Sequence, residues 1–334
     1  NQQDTVIPVI FDEAHLDPGT QNSLLLFDHE TAMKKPLDML SQLDLDGNFQ
    51  SDFNITINEN YFTGSYFDEI GSQGILIMTL LDKKVGSSEG AAIKTWVENG
   101  GSVFIATQPD YNGFEYCKVE ATNLLLKKLQ VYDMFHLYQF QDDKDNYNSD
   151  ELYDDNDSHL FKINDQPTNS WDIVVTDEQF STNDLGRSMK EGIDEVLLGV
   201  STIEVNSSDY VGAYSWKESY SVSDVTGDIR LRDEAIPWLA GTKLGKGKVV
   251  LLGSTFPVSD WDIYGTTLKF IDQLDNMRLW VNIIKWLAED TSEKTTGTSA
   301  TTKANNSFTD GPGLPAVMIA LVIISLVTSR AKKK

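Results

Sequence analysis

Cysteine is almost absent: Cys117 stands alone in 334 residues. A single thiol forms no intramolecular disulfide and builds no cysteine-based zinc site. Histidine is scarce too. His15, His29, His136 and His159 have no ligand spacing, so no metal site is expected. Positive charge is short, with 27 Lys and Arg against 51 Asp and Glu, a net −24. Such a surface repels phosphates, which removes nucleic acid from the expected partners. A phosphate loop is missing as well. Residues 241–248 read GTKLGKGK, one residue short of that motif, and no Ser or Thr follows the lysine. No cofactor is therefore expected. The acidic run 142–157 holds eight Asp or Glu in sixteen positions, yet it lacks the alternating ligands and glycine of a calcium loop and reads as an exposed loop. The chain opens on Asn1 rather than Met, from which a removed signal peptide is expected.

Long apolar runs are missing until the end of the chain. Residues 291–310 contain ten Ser or Thr, too polar to pack a core, and 291–313 reads as a solvated stalk. An uncharged apolar run from Leu314 to Val327 follows, and then Arg330 and Lys332, Lys333 and Lys334. Counted as 314–329, it is ~25 Å of helix, just under a hydrocarbon core of ~30 Å. Flanking lysines reach past such a deficit. The reading is a transmembrane helix with a basic cytoplasmic tail, 330–334, which puts residues 1–290 on the outer face. The Gly311-Pro312-Gly313 step and the basic cluster also resemble a tripartite sorting signal, in which the helix is cut away and a lipid anchor takes its place.

The body has the rhythm of alternating strands and helices. Residues 6–11, 74–81, 102–107 and 249–253 are apolar and rich in β-branched residues, as strands buried on both faces are. Residues 31–43, 88–99, 120–129 and 276–288 have helical spacing, and Gly100-Gly101 stops the second. Phe53, Ile55 and Ile57 alternate as a strand. This order predicts an α/β, flavodoxin-like doubly wound, mostly parallel sheet. Residues 195–240 are read as a β-rich, antiparallel insertion. Within it Tyr210, Tyr214 and Trp216 alternate on one strand face, either as sheet core or as a stripe to stack on sugars.

Five stretches carry a resemblance. They are FDEAH (11–15), GILIMTLL (74–81), WVENGGSVFIAT (96–107), GKGKVVLLGSTFPVSD (245–260) and NIIKWL (282–287). Together they resemble the non-catalytic branch of the class I glutamine amidotransferase-like fold, which includes gliding-motility and intraflagellar-transport relatives and archaeal surface proteins. The resemblance implies a flavodoxin-like sheet and a binding or assembly role. The layout is also similar to the single-span, non-catalytic subunit of oligosaccharyltransferase, although the chain lacks room for that subunit's additional β-domain.

An active amidotransferase needs a cysteine at a sharp strand-to-helix elbow. Here the third strand runs into Asp82-Lys83-Lys84-Val85, and Cys117 lies elsewhere, so no catalytic residue is assigned. Ligands of doubly wound sheets bind outside the carboxyl ends of the strands. That rule selects Asp12, Glu13 and His15 after the first strand, Gln108 and Asp110 after another, and Ser254 and Thr255 after a third. The plainer reading of Asp12 and His15 is that they hydrogen-bond their own loop. Asn54, Asn206 and Asn305 head glycosylation sequons. The expected function is a non-enzymatic, membrane-anchored, extracytoplasmic binding or assembly module, with a glycan or a membrane-protein complex as partner. The alternatives are an accessory subunit of an oligosaccharyltransferase-like complex and a sugar-directed hydrolase using Asp12 or Glu13.

Overall fold

A computed structural model describes residues 6–16, 28–44, 51–107, 119–138, 150–223, 229–231, 235–263 and 266–289, all within the contact unit that ends at Ser292. At its centre is a seven-stranded sheet. Its strands are β1 (Ile7–Asp12), β2 (Phe53–Asn58), β3 (Gly74–Thr79), β4 (Gly101–Ala106), β5 (Val211–Tyr214), β6 (Pro237–Leu244) and β7 (Gly247–Leu252). Their order is β5-β6-β7-β4-β3-β1-β2. The strands from β7 to β2 are all parallel, and only β6 runs against its neighbours. The four apolar runs expected to form a parallel sheet do so.

The sheet sorts its side chains by parity, as a strand's period of two requires. One face carries Val9, Phe11, Ile75, Ile77, Phe104 and Val250. It packs against α1 (Lys34–Leu40), α5 (Asp184–Met189) and α6 (Asn276–Ala288). The other carries Ile10, Leu76, Met78, Val103, Ile105 and Leu251 against α2 (Gly64–Ile70), α3 (Ser87–Glu98) and α4 (Val119–Leu129). Burial on both faces explains why β3, β4 and β7, buried along their whole length, are mostly apolar, with Thr79, Ser102 and Lys248 as the polar exceptions near their ends. α6 has the strongest apolar stripe: Leu279, Ile283, Ile284 and Leu287 are all buried.

Three expectations change. Residues 31–43 hold a helix of seven residues, not thirteen, because Pro36 suits only a first turn and a turn follows Leu40. The β-rich stretch is not an insertion throughout. Strands 211–214 and 237–244 complete the central sheet as β5 and β6, and Gly245, with φ 63°, makes the tight turn from β6 into β7. The remaining short strands pair outside it: 195–198 with 173–176, 203–205 with 135–137, and 220–223 with both 150–153 and 229–231. Part of the acidic run is thus strand. Leu152 is buried within it, and buried Asp154 accepts from the Ser219 hydroxyl at 2.9 Å. The aromatic stripe divides, since Tyr210 joins the core beneath α3 and α4 whereas Trp216 joins the opposite one and stacks on His159.

Among the described residues no helix is long and apolar enough to cross a membrane. Residues 291–334, with the stalk, the apolar run and Asn305, lie outside them, as do Gln108, Asp110 and Cys117.

Candidate functional site: the carboxyl ends of the central strands

The strand order reverses between β1 and β3, and there the chain builds a buried cluster of charged side chains. Asp12 ends β1, and the next three residues turn beneath the loop that follows β3. The His15 carbonyl accepts the N–H groups of Asp82 and Lys83, both at 3.1 Å, which fixes one loop to the other. The His15 imidazole is fully buried. Its Nδ1 lies 2.8 Å from Asp12 Oδ2 and its Nε2 3.2 Å from Glu89 Oε2. Glu89 comes from the first turn of α3. It also accepts the N–H of Phe62 at 2.6 Å and of Gly86 at 3.1 Å, the latter a bond that caps the helix. Asp12 Oδ1 accepts the Ala14 N–H at 3.2 Å. The rings of Phe62 and Tyr61 complete the enclosure.

Both ring nitrogens face carboxylate oxygens, and a neutral imidazole has only one N–H to donate. With both carboxyls ionised, the arrangement favours an imidazolium. Burial works against that charge, but the hydrogen bonds to Asp12 and Glu89 win and raise the pKa to about 9. Burial also opposes the charge of Glu89, and there the bond to His15 and the two backbone N–H groups outweigh it and hold the pKa below the ordinary value. Asp12 is more deeply buried, and desolvation lifts its pKa in spite of His15.

The remaining described candidates, Glu13, Ser254 and Thr255, do not converge on this cluster. Glu13 turns outward, where its Oε1 meets His29 Nδ1 at 2.6 Å and the His29 N–H at 2.9 Å. Ser254 and Thr255 are buried beside the end of β4: the Thr255 N–H donates to the Thr107 carbonyl at 2.8 Å, and Ser254 Oγ accepts the Phe256 N–H at 3.0 Å. The hydroxyls of Thr255 and of Thr79 have no hydrogen-bond partner. Of the glycosylation candidates, Asn54 and Asn206 are exposed. The Asn206 amide donates to the Asp133 carbonyl.

Two residues that matter here were not singled out from sequence. Glu89 gave a faint sign, an acidic residue three places after a glycine at a helix start, which speaks of capping and not of a histidine 74 positions earlier. Leu80 gave none, because it hides in the run TLL. It follows the last residue of β3 and has φ 47°, a left-handed conformation uncommon for leucine. Such a strained position just past a strand is where a nucleophile elbow presents its reactive side chain. Here the side chain is buried against Leu16, Ala32, Phe256 and Trp261. α3 begins only at Ser87, so no helix start stands at the bend.

No family model matches the sequence, and no curated protein does. Among solved structures, the mmIFT52 N-terminal domain superposes with a TM-score of 0.56 at 14% identity, over 84% of this chain and 97% of that one. A ThuA-like protein from Bacteroides uniformis gives 0.42 at 12% identity, over 86% and 93%. At such identities the likeness is one of fold, and the second is too distant to add to it. The chain has a mixed α/β architecture with a mostly parallel, flavodoxin-like central sheet.

Proposed function

We propose that this protein is a non-enzymatic binding or assembly module of the non-catalytic class I glutamine amidotransferase-like branch, held on the outer face of a membrane by residues 314–329. Leu80 carries the reading. The bend after β3, where this fold class would present a nucleophile, offers a buried hydrocarbon side chain. The closed His15 cluster agrees with it. Asp12 and His15 are buried and bonded to each other, and Glu13 is tied to His29, so the hydrolase reading of Asp12 or Glu13 gains nothing from their surroundings.

The exit of the chain suits a tether. The last turn of α6 is held at the amino ends of β4 and β7, where the Ser102 hydroxyl donates to the Leu287 carbonyl at 2.9 Å and Lys248 Nζ donates to that of Trp286. The described part of the chain therefore ends, at Glu289, on the side of the sheet opposite Asp12 and His15.

A pull-down of the full chain in detergent, with identification of what accompanies it, tests the assembly role. Recovery of a multispan glycosyl-transferring complex would select the accessory-subunit reading. Measurable glutamine hydrolysis by the purified protein would overturn the non-enzymatic one. Intact mass from native membranes tests the anchor: an unmodified Lys334 terminus fits a retained helix, and a mass ending near Gly313 fits a cleaved sorting signal.

A further inference from the structure

The two lateral edges of the central sheet are finished differently. β5 is closed off. Phe180 bridges to Ala213, the Ser181 N–H donates to the Gly212 carbonyl at 2.9 Å, the Asn183 amide donates to the Val211 carbonyl at 2.8 Å, and the pairing with β6 slips register twice. Among the described residues, β2 at the other edge has none of this. Its six residues, FNITIN, pair with β1 in unbroken register and include no lysine, proline or bulge, the usual guards of an exposed edge.

The register fixes which backbone groups are free. The Ile7 N–H donates to the Asp52 carbonyl and the Glu13 N–H to that of Asn58, so the even-numbered residues of β2 bond to β1. The odd-numbered residues point their N–H and C=O groups outward. Phe53 satisfies both of its own through the Ser51 hydroxyl. Among the described residues, nothing meets the two donors and two acceptors that Ile55 and Ile57 face off the sheet. Beside them runs a groove of 540 Å³, with Ile55, Ile57 and Leu37 as its apolar part and Glu30, Lys34 and Asp38 at its rim. Lys34 is paired with Asp38 at 2.6 Å, and His29 lies between Glu13 at 2.6 Å and Glu30 at 3.9 Å, so three carboxylates stand against one lysine and one histidine. Between Lys35 and Lys83 the sequence contains eight Asp or Glu and no Lys or Arg.

We propose that the β2 edge is a docking site for an extended, basic peptide segment of a partner protein, which adds to the sheet as an eighth strand and places alternate apolar side chains in the groove beside Ile55 and Ile57. Backbone pairing supplies the affinity of such a strand, and the alternating pockets supply its selectivity. The acidity of this edge favours a basic strand. It opposes pairing with a second copy, which would bring like charges together. The proposal gives a surface to the binding module described above, but it does not depend on the anchor.

The test uses the full chain in a non-ionic detergent and a ten-residue peptide of alternating valine and lysine. Binding is expected, weaker at high salt, with slowed hydrogen exchange at the Ile55 and Ile57 amides. The same peptide N-methylated at alternate residues should bind at least about tenfold more weakly, as should the Ile55→Pro variant, whose lost N–H takes no part in the pairing with β1. Since the methylated peptide leaves the protein unaltered, a folding defect in the variant cannot imitate the result. Equal binding of the methylated peptide, equal binding of a valine–glutamate peptide, or no protection at Ile55 and Ile57 would overturn the proposal. So would a dimer of the chain that Ile55→Pro abolishes. Failure here with a positive detergent pull-down would remove this edge and keep the assembly role.

Discussion

Each end of the central sheet buries a positive charge, and the two ends handle it in opposite ways. At the carboxyl ends His15 is closed in by two acids that are themselves buried, so its charge is neutralised entirely inside the protein. At the amino ends Lys248 is 2% exposed, but it lies over the Trp286 ring and reaches Glu289, which is 64% exposed, at 3.5 Å. A long aliphatic stem lets the buried lysine charge reach an acid that stands at the protein surface. Histidine has no such stem, and its charge stays where the backbone puts it. Both residues tie distant segments together, but only the histidine cluster depends on every member being present.

That difference sets the order of the expected effects. Substitution of His15 by Leu should be the most damaging, at roughly 3–5 kcal/mol, because it leaves two buried acids without their cation. Urea denaturation at pH 7 measures it, and a loss below 1 kcal/mol would mean that the cluster contributes little.

The effect of pH should be nearly as large. A histidine whose pKa rises on folding contributes fully below its unfolded value, ~6.5, and its contribution fades as the pH climbs through the folded value of about 9. The stability advantage of the native protein over the His15→Leu variant should therefore shrink between pH 6.5 and 9.5. The same comparison with a Lys248→Met variant should stay flat over that range. A flat profile for both would deny that His15 is held charged.

Glu89→Gln comes third, at roughly 1–3 kcal/mol, since the amide keeps an acceptor for the Phe62 or Gly86 N–H but loses the charged bond to His15. Amide exchange at Phe62 and Gly86 should report it locally. Lys248→Met should cost least, roughly 1 kcal/mol, because the methionine retains most of the packing and gives up one hydrogen bond and a partly solvated ion pair. A Lys248 variant more damaging than the His15 variant would reverse the comparison.

Much of the fold was legible because it depends on short-range rules. Strands buried on both faces are apolar over most of their length, so β3, β4 and β7 could be read directly, and α6 showed its buried stripe at helical spacing. The edges of the sheet were harder. β5 and β6 pass for parts of an insertion because nothing local distinguishes a strand that pairs within the central sheet from one that pairs elsewhere. At the site, Asp12 and His15 were picked out by their place after a strand, but the geometry could not be read from that place.

The sequence by itself determined the class of sheet, the acidic character of the surface and the separation of the body from a polar stretch and an apolar end, because composition and periodicity act over a few residues at a time. The tertiary structure alone decided that Glu89 closes on His15 from 74 residues away, that Leu80 takes a left-handed bend and buries its side chain, and that among the described residues β2 is the uncovered edge while β5 is covered. Each of these depends on which segments the fold places side by side, and a hydrogen bond or a free strand edge has no counterpart in local sequence pattern.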